Sequence, residues 1–227
     1  MTMAPDAVRT MFDRIAPVYD VMNRIMTAGL DIRWRRLAAE SAVRAGDRVL
    51  DAACGTGDLA IADLKAGAGR VTGLDFSEAM LARARKKTAG RSGALEWVRG
   101  DLLALPFADG TFDAATVGFG VRNVADLELG LRELRRVLRP GGRLAILEIT
   151  QPRGALRPFF SLWFDRVVPA LGKVLPGGSA YAYLPASVKR FPDAESLERL
   201  LRECGFGAVR FRLLAGSIVA LHVGAAE

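Results

Sequence analysis

The fold is decided by the stretch Val49-Leu50-Asp51-Ala52-Ala53-Cys54-Gly55-Thr56-Gly57-Asp58. It begins as an apolar strand, passes through a turn with two glycines, and leads into a helix with apolar residues at helical spacing. Glycine at positions 55 and 57 lets the backbone turn tightly and brings bare N–H groups close to a ligand. Asp58 falls in the first turn of the helix, where the helix dipole favours a negative charge. The stretch therefore predicts a strand, a binding loop and a helix.

Two kinds of cofactor fit this loop. Gly55, Gly57 and Ala60 satisfy the dinucleotide pattern G-x-G-x-x-G/A, with Asp75 as the acid for the ribose. Asp51 lies four residues before the first glycine, where a carboxylate disfavours a diphosphate and favours a cationic amino-acid ligand. The arrangement D-x-x-x-G-x-G resembles motif I of the class I S-adenosylmethionine (SAM) methyltransferases. A plain packing turn is the alternative, and the register of loop, acid and second strand favours SAM.

Composition predicts one soluble α/β domain. The chain has 227 residues, of which 51% are hydrophobic, and no composition shift suggests a second domain. Cys54, Cys204 and His222 show neither a disulfide framework nor metal-ligand spacing, so we expect no metal and a reduced, cytoplasmic compartment. No signal-peptide run and no apolar stretch of about 18 residues is present in the sequence.

The net charge of +7 has three interpretations. Short basic runs occur at 33–36 and 135–136, and such charge suits nucleic acid, an anionic membrane surface or an arginine-rich solvated surface. Charge alone does not choose among them. Methyltransferases that act on adenine or glutamine nitrogens usually carry an Asn/Asp-Pro-Pro-Tyr/Phe clamp after the fourth strand. This sequence has none, so we expect no nucleic-acid partner.

The periodicity divides the chain into four parts. Residues 1–45 predict a layer of helices, broken at Pro17 and continued by a helix that Asp31 caps, which serves as a lid or covers one edge of the sheet. Residues 46–150 predict the SAM-binding core, with alternating strands and helices that build a parallel sheet. Strands are expected at 48–53, 71–75, 95–99, 112–117 and 143–149, and helices at 78–89, capped by Ser77, and 127–138.

The last two parts differ in character. Residues 151–192 predict an inserted segment whose aromatic run at 154–176 lines a substrate pocket, rests on lipid, or packs in the core or a dimer interface. Residues 193–227 predict a helix capped by Asp193 and an antiparallel hairpin, with Cys204 in the core. Together these elements predict a seven-stranded, mostly parallel sheet of the Rossmann-like class.

Polar residues at the carboxyl ends of the strands carry the predicted chemistry. Asp101 follows the third strand and suits the adenine amino group, with Leu102 beside the ring; its alternative is to cap the next segment. Arg122 and Asn123 follow the fourth strand and suit an anionic oxygen. The alternative for Arg122 is an ion pair with an acid of the next helix, such as Asp126 or Glu128.

Four separated motifs resemble those of the UbiE/MenG/Coq5 quinone C-methyltransferases. The similarity covers residues 12 to 224. The motifs are Phe12-Asp13-Arg14-Ile15-Ala16-Pro17-Val18-Tyr19-Asp20, Phe119-Gly120-Val121-Arg122-Asn123-Val124, Tyr181-X-Tyr183-Leu184-Pro185 with Phe191-Pro192, and Gly216-X-Ile218-X-Ala220-X-His222-X-Gly224.

The resemblance implies SAM-dependent methylation of a ring carbon in a demethylated prenyl quinol. Menaquinone formation is the first choice and the ubiquinone pathway the alternative, and a membrane-borne substrate implies peripheral contact with the inner face of the cell membrane. The family implies cofactor contacts at Thr56, Asp75, Asp101 and Leu102. It also places Gly118 where many members have serine, so a hydroxyl contact is not expected there.

These expectations define a predicted site. Arg122 and Asn123 are expected to stabilise an oxyanion, while Tyr19 and His222 are candidates for handling protons, although His222 is equally suited to a structural role. The predicted cofactor-binding residues are Asp51, Gly55, Thr56, Gly57, Asp75, Asp101, Leu102 and Gly118.

Overall fold

The computed structural model describes residues 5–90, 93–151 and 178–227. Its helices are α1 (Pro5–Ile15), α2 (Tyr19–Thr27), α3 (Leu30–Ala42), α4 (Asp58–Lys65), α5 (Glu78–Lys87), α6 (Leu127–Val137), α7 (Gly178–Arg190) and α8 (Ala194–Glu203). Its strands are β1 (Arg48–Ala52), β2 (Arg70–Asp75), β3 (Leu95–Arg99), β4 (Phe112–Gly118), β5 (Leu138–Ile149), β6 (Phe206–Leu214) and β7 (Val219–Ala226). The predicted aromatic helix within 154–176 lies outside the described residues.

The strands form a seven-stranded sheet in the order β3-β2-β1-β4-β5-β7-β6. The first five strands pair in parallel, and β7 pairs antiparallel with both β5 and β6. This confirms the predicted Rossmann-like sheet with its closing hairpin. The strand order reverses between β1 and β4, so a crevice opens at the carboxyl ends of these two strands.

The two faces of the sheet bury different sets of apolar side chains. On one face Leu50 and Ile146 pack with α6 and α8, and on the other Val49 and Leu147 pack with α3 and α4. Because side chains alternate along a strand, neighbouring residues of one strand serve opposite layers. The loops at the carboxyl edge are therefore held from both sides.

The predicted helix boundaries are mostly confirmed. The chain breaks between α1 and α2 at the position of Pro17, and the hydroxyl of Ser77 accepts from Met80 N–H as the predicted cap. Asp193 caps α8 by accepting from Ser196 N–H, and Cys204 is buried in the core. The predicted strand at 143–149 is longer, because β5 begins at Leu138 beside Phe112.

The predicted cap at Asp31 is wrong. Gly29 is the residue before α3, with a left-handed φ of 77°, and Asp31 lies inside the first turn. Its side chain is buried and forms ion pairs with Arg24 of α2 and Arg35 of α3. Asp31 therefore joins two helices through paired charge instead of satisfying the backbone of one.

Gly57 offers a test of how tightly the binding loop packs. Its φ is +81°, and a Cβ there would approach Cη2 of Trp97 at 2.4 Å. Gly46 has a similar φ of +83° but nothing within 4 Å of such a Cβ. Both alanine variants meet a left-handed backbone cost of about 1–2 kcal/mol. We expect Gly57→Ala to lose a further 1–3 kcal/mol or so of unfolding free energy through overpacking.

Urea unfolding of the two variants measures this difference. Equal losses in Gly57→Ala and Gly46→Ala would contradict the packing of the loop against Trp97.

Candidate active site

Asp75 joins the binding loop to the end of β2. One carboxylate oxygen accepts from Gly55 N–H at 2.8 Å and the other from Ser77 N–H at 2.9 Å. Burial raises the pKa of Asp75 to about 6, although these N–H groups oppose the rise. The acid predicted for the ribose thus also fixes the loop that surrounds the cofactor.

A small cavity of about 40 Å³ lies at this junction. Gly55 and Asp75 line it from the first two strands, and Gly118 lines it from the end of β4. These three residues come from separate strand ends, as the parallel topology requires. The structure therefore brings together part of the predicted cofactor set.

A second cavity of about 500 Å³ lies under the amino-terminal helices. Its apolar wall includes side chains of α1, α2 and the turn between them, together with two from the sheet side: Ile15, Val18, Met22, Met26, Ile149 and Ile218. Phe12, Tyr19, Phe119 and Asn123 line both cavities, so the two adjoin at these side chains. Tyr19 is therefore placed at the junction, as predicted for a residue of the site.

Arg122 and Asn123 form a single 3₁₀ turn, Val121–Asn123, directly after β4. The guanidinium of Arg122 donates from Nη1 to Glu148 Oε1 at 2.6 Å and to the Phe119 carbonyl at 2.7 Å. The predicted alternative, a pair with Asp126 or Glu128, is wrong. Asp126 accepts from Leu129 N–H as the cap of α6, and Glu128 pairs with Arg132.

Arg122 and Asn123 also carry buried polar atoms that lack a partner. Nε of Arg122 and Oδ1 of Asn123 have no hydrogen bond within the described part of the chain. Both side chains line the large cavity. Nε and Oδ1 are enclosed by the protein, whereas Nη2 of Arg122 is not enclosed and has no hydrogen bond within the described residues. Nη2 is therefore the donor that Arg122 offers to a ligand.

Phe119 connects the parts of this site. It has a left-handed φ of 61°, which a residue with a large side chain adopts at a cost of about 1–3 kcal/mol. Its N–H bonds the Leu147 carbonyl, which ties the turn to β5. Its ring lies 5.4 Å from the guanidinium carbon of Arg35, which also lines the large cavity. Phe119 thus contacts Leu147 through its N–H, Arg35 through its ring and Arg122 through its carbonyl.

The amino-terminal helix α2 is attached to the binding loop by a polar network. Lys87 of α5 contacts Asp20 of α2, Thr56 of the loop and Asp58 at the start of α4. The hydroxyl of Thr56 also donates to Asp20. Arg24 of α2 pairs with Asp58 at 3.0 Å. The side chain of Thr56 is therefore engaged within the protein and lines neither of the two cavities described above.

Asp51 is fully buried beside a second acid. In the described residues neither of its oxygens has a hydrogen-bond partner, and Asp63 accepts from the Thr116 hydroxyl at 2.7 Å. Burial raises the pKa of Asp51 well above its usual range, and the charge of Asp63 raises it further. Burial raises the pKa of Asp63 to about 8. Asp51 lines neither described cavity, so its contact with a cationic ligand stays a prediction.

Besides Asp51 and Thr56, four more predicted residues lie away from both described cavities. Gly57 packs on Trp97, Asp101 is exposed and accepts from Leu103 N–H, and Leu102 is buried in the core beside α6. His222 lies on the α8 face of β7, where Nε2 contacts the Ala194 carbonyl at 2.8 Å and burial lowers its pKa. The proton-handling role predicted for His222 is corrected to a structural one, because the ring does not reach a cavity.

Glu148, Phe119 and Arg35 were not predicted. Glu148 had a signal, since a carboxylate within the apolar strand Leu144-Ala145-Ile146-Leu147-Glu148-Ile149 needs a buried partner. Arg35 had none beyond its place in a basic run. The left-handed backbone of Phe119 cannot be read from a sequence in which glycines flank it.

The sheet order, the glycine loop and Asp75 at the carboxyl edge are those of a class I SAM-dependent methyltransferase. The residues fit the methionine and ribose ends of this cofactor, because Asp75 and Gly55 line the small cavity and Asp51 is an unpaired acid behind the loop.

Comparison with known proteins gives the family. The profile of the ubiE/COQ5 methyltransferase family matches residues 1–226. The chain is 47% identical to a demethylmenaquinone methyltransferase of Thermus thermophilus over 94% of its own length and 99% of that protein. It is 42% identical to the ubiquinone/menaquinone biosynthesis C-methyltransferase UbiE of Roseobacter denitrificans, over 96% of this chain and 89% of that protein.

The chain belongs to the ubiE/COQ5 methyltransferase family, and it is an enzyme that transfers a methyl group from SAM. A crystal structure of the [4+2]-cyclase SpnF shares the fold with a TM-score of 0.76, covering 99% of this chain and 97% of that one. At 19% identity that likeness concerns the fold alone.

Two further observations concern membrane-spanning helices and metal sites. Among residues 5–90, 93–151 and 178–227, no helix is both long and apolar enough to cross a bilayer. The same residues contain no group of three or more His, Cys, Asp or Glu side chains that could hold a metal ion.

The raised pKa of Asp63 predicts how stability depends on pH. Its folded-state pKa of about 8 lies above the ordinary value of 3.8, so the folded protein holds a proton that the unfolded chain releases. This contribution to stability is fully present below about pH 4 and is lost as the pH rises through about 8. We expect Asp63→Asn to become more stable relative to wild type as the pH rises from 5 to 8.

Urea unfolding across this range measures the difference, which approaches about 1.4 kcal/mol per pH unit for one full proton. The exposed Asp6→Asn variant is the control and should follow wild type. Parallel curves for Asp63→Asn and wild type would contradict the assignment.

Proposed function

We propose that this enzyme methylates a ring carbon of a demethylated prenyl quinol, with demethylmenaquinol as its substrate in menaquinone biosynthesis. The corresponding benzoquinol of the ubiquinone pathway is the alternative. The names of the two relatives support this substrate class. One is a demethylmenaquinone methyltransferase, and the other is named for both ubiquinone and menaquinone biosynthesis.

The large apolar cavity is the observation that carries the proposal. A volume of about 500 Å³ lined by aliphatic and aromatic side chains suits a fused ring and the start of a prenyl chain. A water-soluble substrate would not need such a wall. Arg122 and Asn123 supply polar groups at this cavity, where a ring oxygen must be recognised.

Chemistry requires the reduced form of the substrate. A quinone ring is electron-poor, whereas loss of a phenolic proton from the quinol places electron density on the neighbouring carbon. That carbon forms its bond to the methyl group as the sulfur–carbon bond breaks, and the ring then loses a proton to become aromatic again. When bound, SAM supplies an electrophilic methyl group, so we propose that no metal ion takes part.

Arg122 and Asn123 act on the phenolic oxygen. Nη2 of Arg122 has no hydrogen bond among the described residues and is free to donate to that oxygen, and the side chain of Asn123 lines the same cavity. As the proton leaves, the guanidinium stabilises the developing negative charge. Tyr19 remains a candidate for handling the proton, because it lines both cavities.

The cofactor would be held at the carboxyl ends of β1, β2 and β4. Gly55 and Asp75 would hold its methionine and ribose ends, Gly118 would line the approach, and Asp101 and Leu102 stay predictions for the adenine. A ligand of this size needs several hundred Å³ (about 300 or more). We therefore propose that binding displaces Phe12 and Tyr19, which fits a lid role for the amino-terminal helices.

A lipid surface is the proposed source of the substrate. On α2, Val21 and Ile25 are 61% exposed, and on α3 Ile32 is 57% exposed. Leu30 is exposed and also lines the large cavity, so apolar surface continues into the pocket. Arg33, exposed on α3, adds positive charge that suits anionic headgroups, whereas the exposed Arg36 is paired with Glu40.

Cofactor choice is tested by calorimetry. SAM and its demethylated product should bind, and NAD should not. Asp75→Asn keeps the shape of the side chain but removes its charge, and we expect it to weaken SAM binding by about 1–3 kcal/mol. Tight NAD binding without SAM binding would contradict the cofactor assignment.

Substrate and mechanism are tested with purified enzyme, SAM and prenyl naphthoquinol or benzoquinol, with the product measured by mass spectrometry. Reduced naphthoquinol should gain a methyl group, and the oxidised quinone should not. Arg122→Ala should lose about 10²-fold in turnover with SAM affinity unchanged, as for an oxyanion donor. Arg122→Lys should recover part, because a point charge replaces a planar fork.

Methylation of the oxidised quinone, or normal turnover by Arg122→Ala, would overturn this mechanism. A preference for the benzoquinol would instead select the ubiquinone pathway.

Membrane contact is tested by flotation with vesicles. Binding to anionic vesicles should exceed binding to neutral ones and should weaken with salt, since screened charge supplies part of the attraction. Val21→Asp/Ile25→Asp should reduce binding, whereas Leu129→Asp, at an exposed position on α6, should not. Equal losses in both variants would rule out the α2 surface.

A further inference from the structure

Glu148 is a buried acid that has no role in the reaction described above. It lies near the end of β5, and its side chain is 1% exposed. Its neighbours on the strand, Leu147 and Ile149, are apolar. Burying a carboxylate away from water is unfavourable unless hydrogen bonds and an opposite charge compensate it.

Three donors converge on this carboxylate. Oε1 accepts from Nη1 of Arg122 at 2.6 Å and from Ile149 N–H at 2.8 Å. Oε2 lies 3.3 Å from the backbone N–H of Arg122. Glu148 therefore contacts Arg122 through both side chain and backbone, and it joins the 3₁₀ turn after β4 to the neighbouring strand.

The contact uses one part of the guanidinium and leaves another free. Nη1 is shared between Glu148 and the Phe119 carbonyl. Nε is enclosed by the protein, whereas Nη2 is not enclosed and has no hydrogen bond among the described residues. An arginine side chain has many rotamers, and an ion pair with a fixed acid selects one of them. The acid thus determines which donor of Arg122 remains for a ligand.

We propose that Glu148 is a positioning residue, which holds Arg122 in the orientation that presents Nη2 of its guanidinium to the phenolic oxygen of the substrate. This rests on the function proposed for Arg122. Glu148 does not line either described cavity and acts through the guanidinium alone. Removing the Glu148 carboxylate should therefore lower turnover when Arg122 is present and should leave turnover unchanged when Arg122 is absent.

A double-mutant cycle tests this dependence. Glu148→Gln should lower kcat about ten- to hundredfold, as expected for a displaced catalytic group, with the Kd for SAM unchanged. Glu148→Asp keeps the charge on a shorter side chain, and its kcat should lie between those of wild type and Glu148→Gln. In the Arg122→Gln background, Glu148→Gln should cause no further loss, and this neutral double variant also avoids an unpaired buried charge.

Glu133 provides a matched control away from the site. It accepts from Arg136 and from Leu105 N–H, so it also combines an arginine pair with a backbone contact. Glu133→Gln should leave kcat unchanged. A similar fall in kcat for Glu133→Gln and Glu148→Gln would indicate a general structural effect and overturn the proposal.

A spectroscopic measurement separates this proposal from the function on which it rests. The Nε–H resonance of Arg122 can be assigned by its absence in Arg122→Gln, and it should shift and broaden in Glu148→Gln. An unchanged resonance, unchanged kcat, or an equal loss in the Arg122→Gln background would each overturn the positioning role. If the wild-type enzyme methylated no quinol, the proposed function would fail, while the resonance would still decide whether Glu148 orders Arg122.

Discussion

The buried ion pair between Arg122 and Glu148 is the interaction on which the proposed chemistry depends. A guanidinium beside an apolar cavity is costly unless a carboxylate compensates its charge. Glu148 bonds Nη1 and the backbone N–H of Arg122, so Nη2 keeps no hydrogen bond among the described residues, and the side chain is 10% exposed. A charged donor with an open position, in surroundings of low polarity, is suited to stabilise charge that develops on a ligand.

The sheet explains why this pair forms where it does. β4 and β5 are parallel neighbours, with Gly118 paired to Leu147, so the turn after β4 lies beside Glu148. β1 lies on the other side of β4, and its loop reaches Asp75 at the end of β2. The reversal of strand order between β1 and β4 thus places the cofactor loop and Arg122 next to each other. Helices α1 and α2 complete both cavities through Phe12 and Tyr19.

Much of this arrangement could be predicted from the sequence, because periodicity and glycine positions determine local structure. The strands, the caps at Ser77 and Asp193, and the placing of Gly55, Asp75, Arg122 and Asn123 at one edge all followed from such patterns. The partners of charged side chains did not. Arg122 pairs with Glu148 of the neighbouring strand β5, and Asp31 pairs with Arg24 of another helix. Both choices depend on tertiary contacts that spacing along the chain does not encode.

The account is tested most directly by the acidity of a bound phenol. A prenylated 4-alkoxy-1-naphthol lacks the second free hydroxyl that reversible oxidation to a quinone needs, and its absorbance distinguishes the neutral from the ionised form. Bound to wild-type enzyme, its pKa should fall by about one unit or more relative to a detergent micelle, which corresponds to about 1.4 kcal/mol of preference for the phenolate. In Arg122→Gln the shift should be lost. An equal pKa in both proteins would contradict the claim that Arg122 stabilises the phenolate.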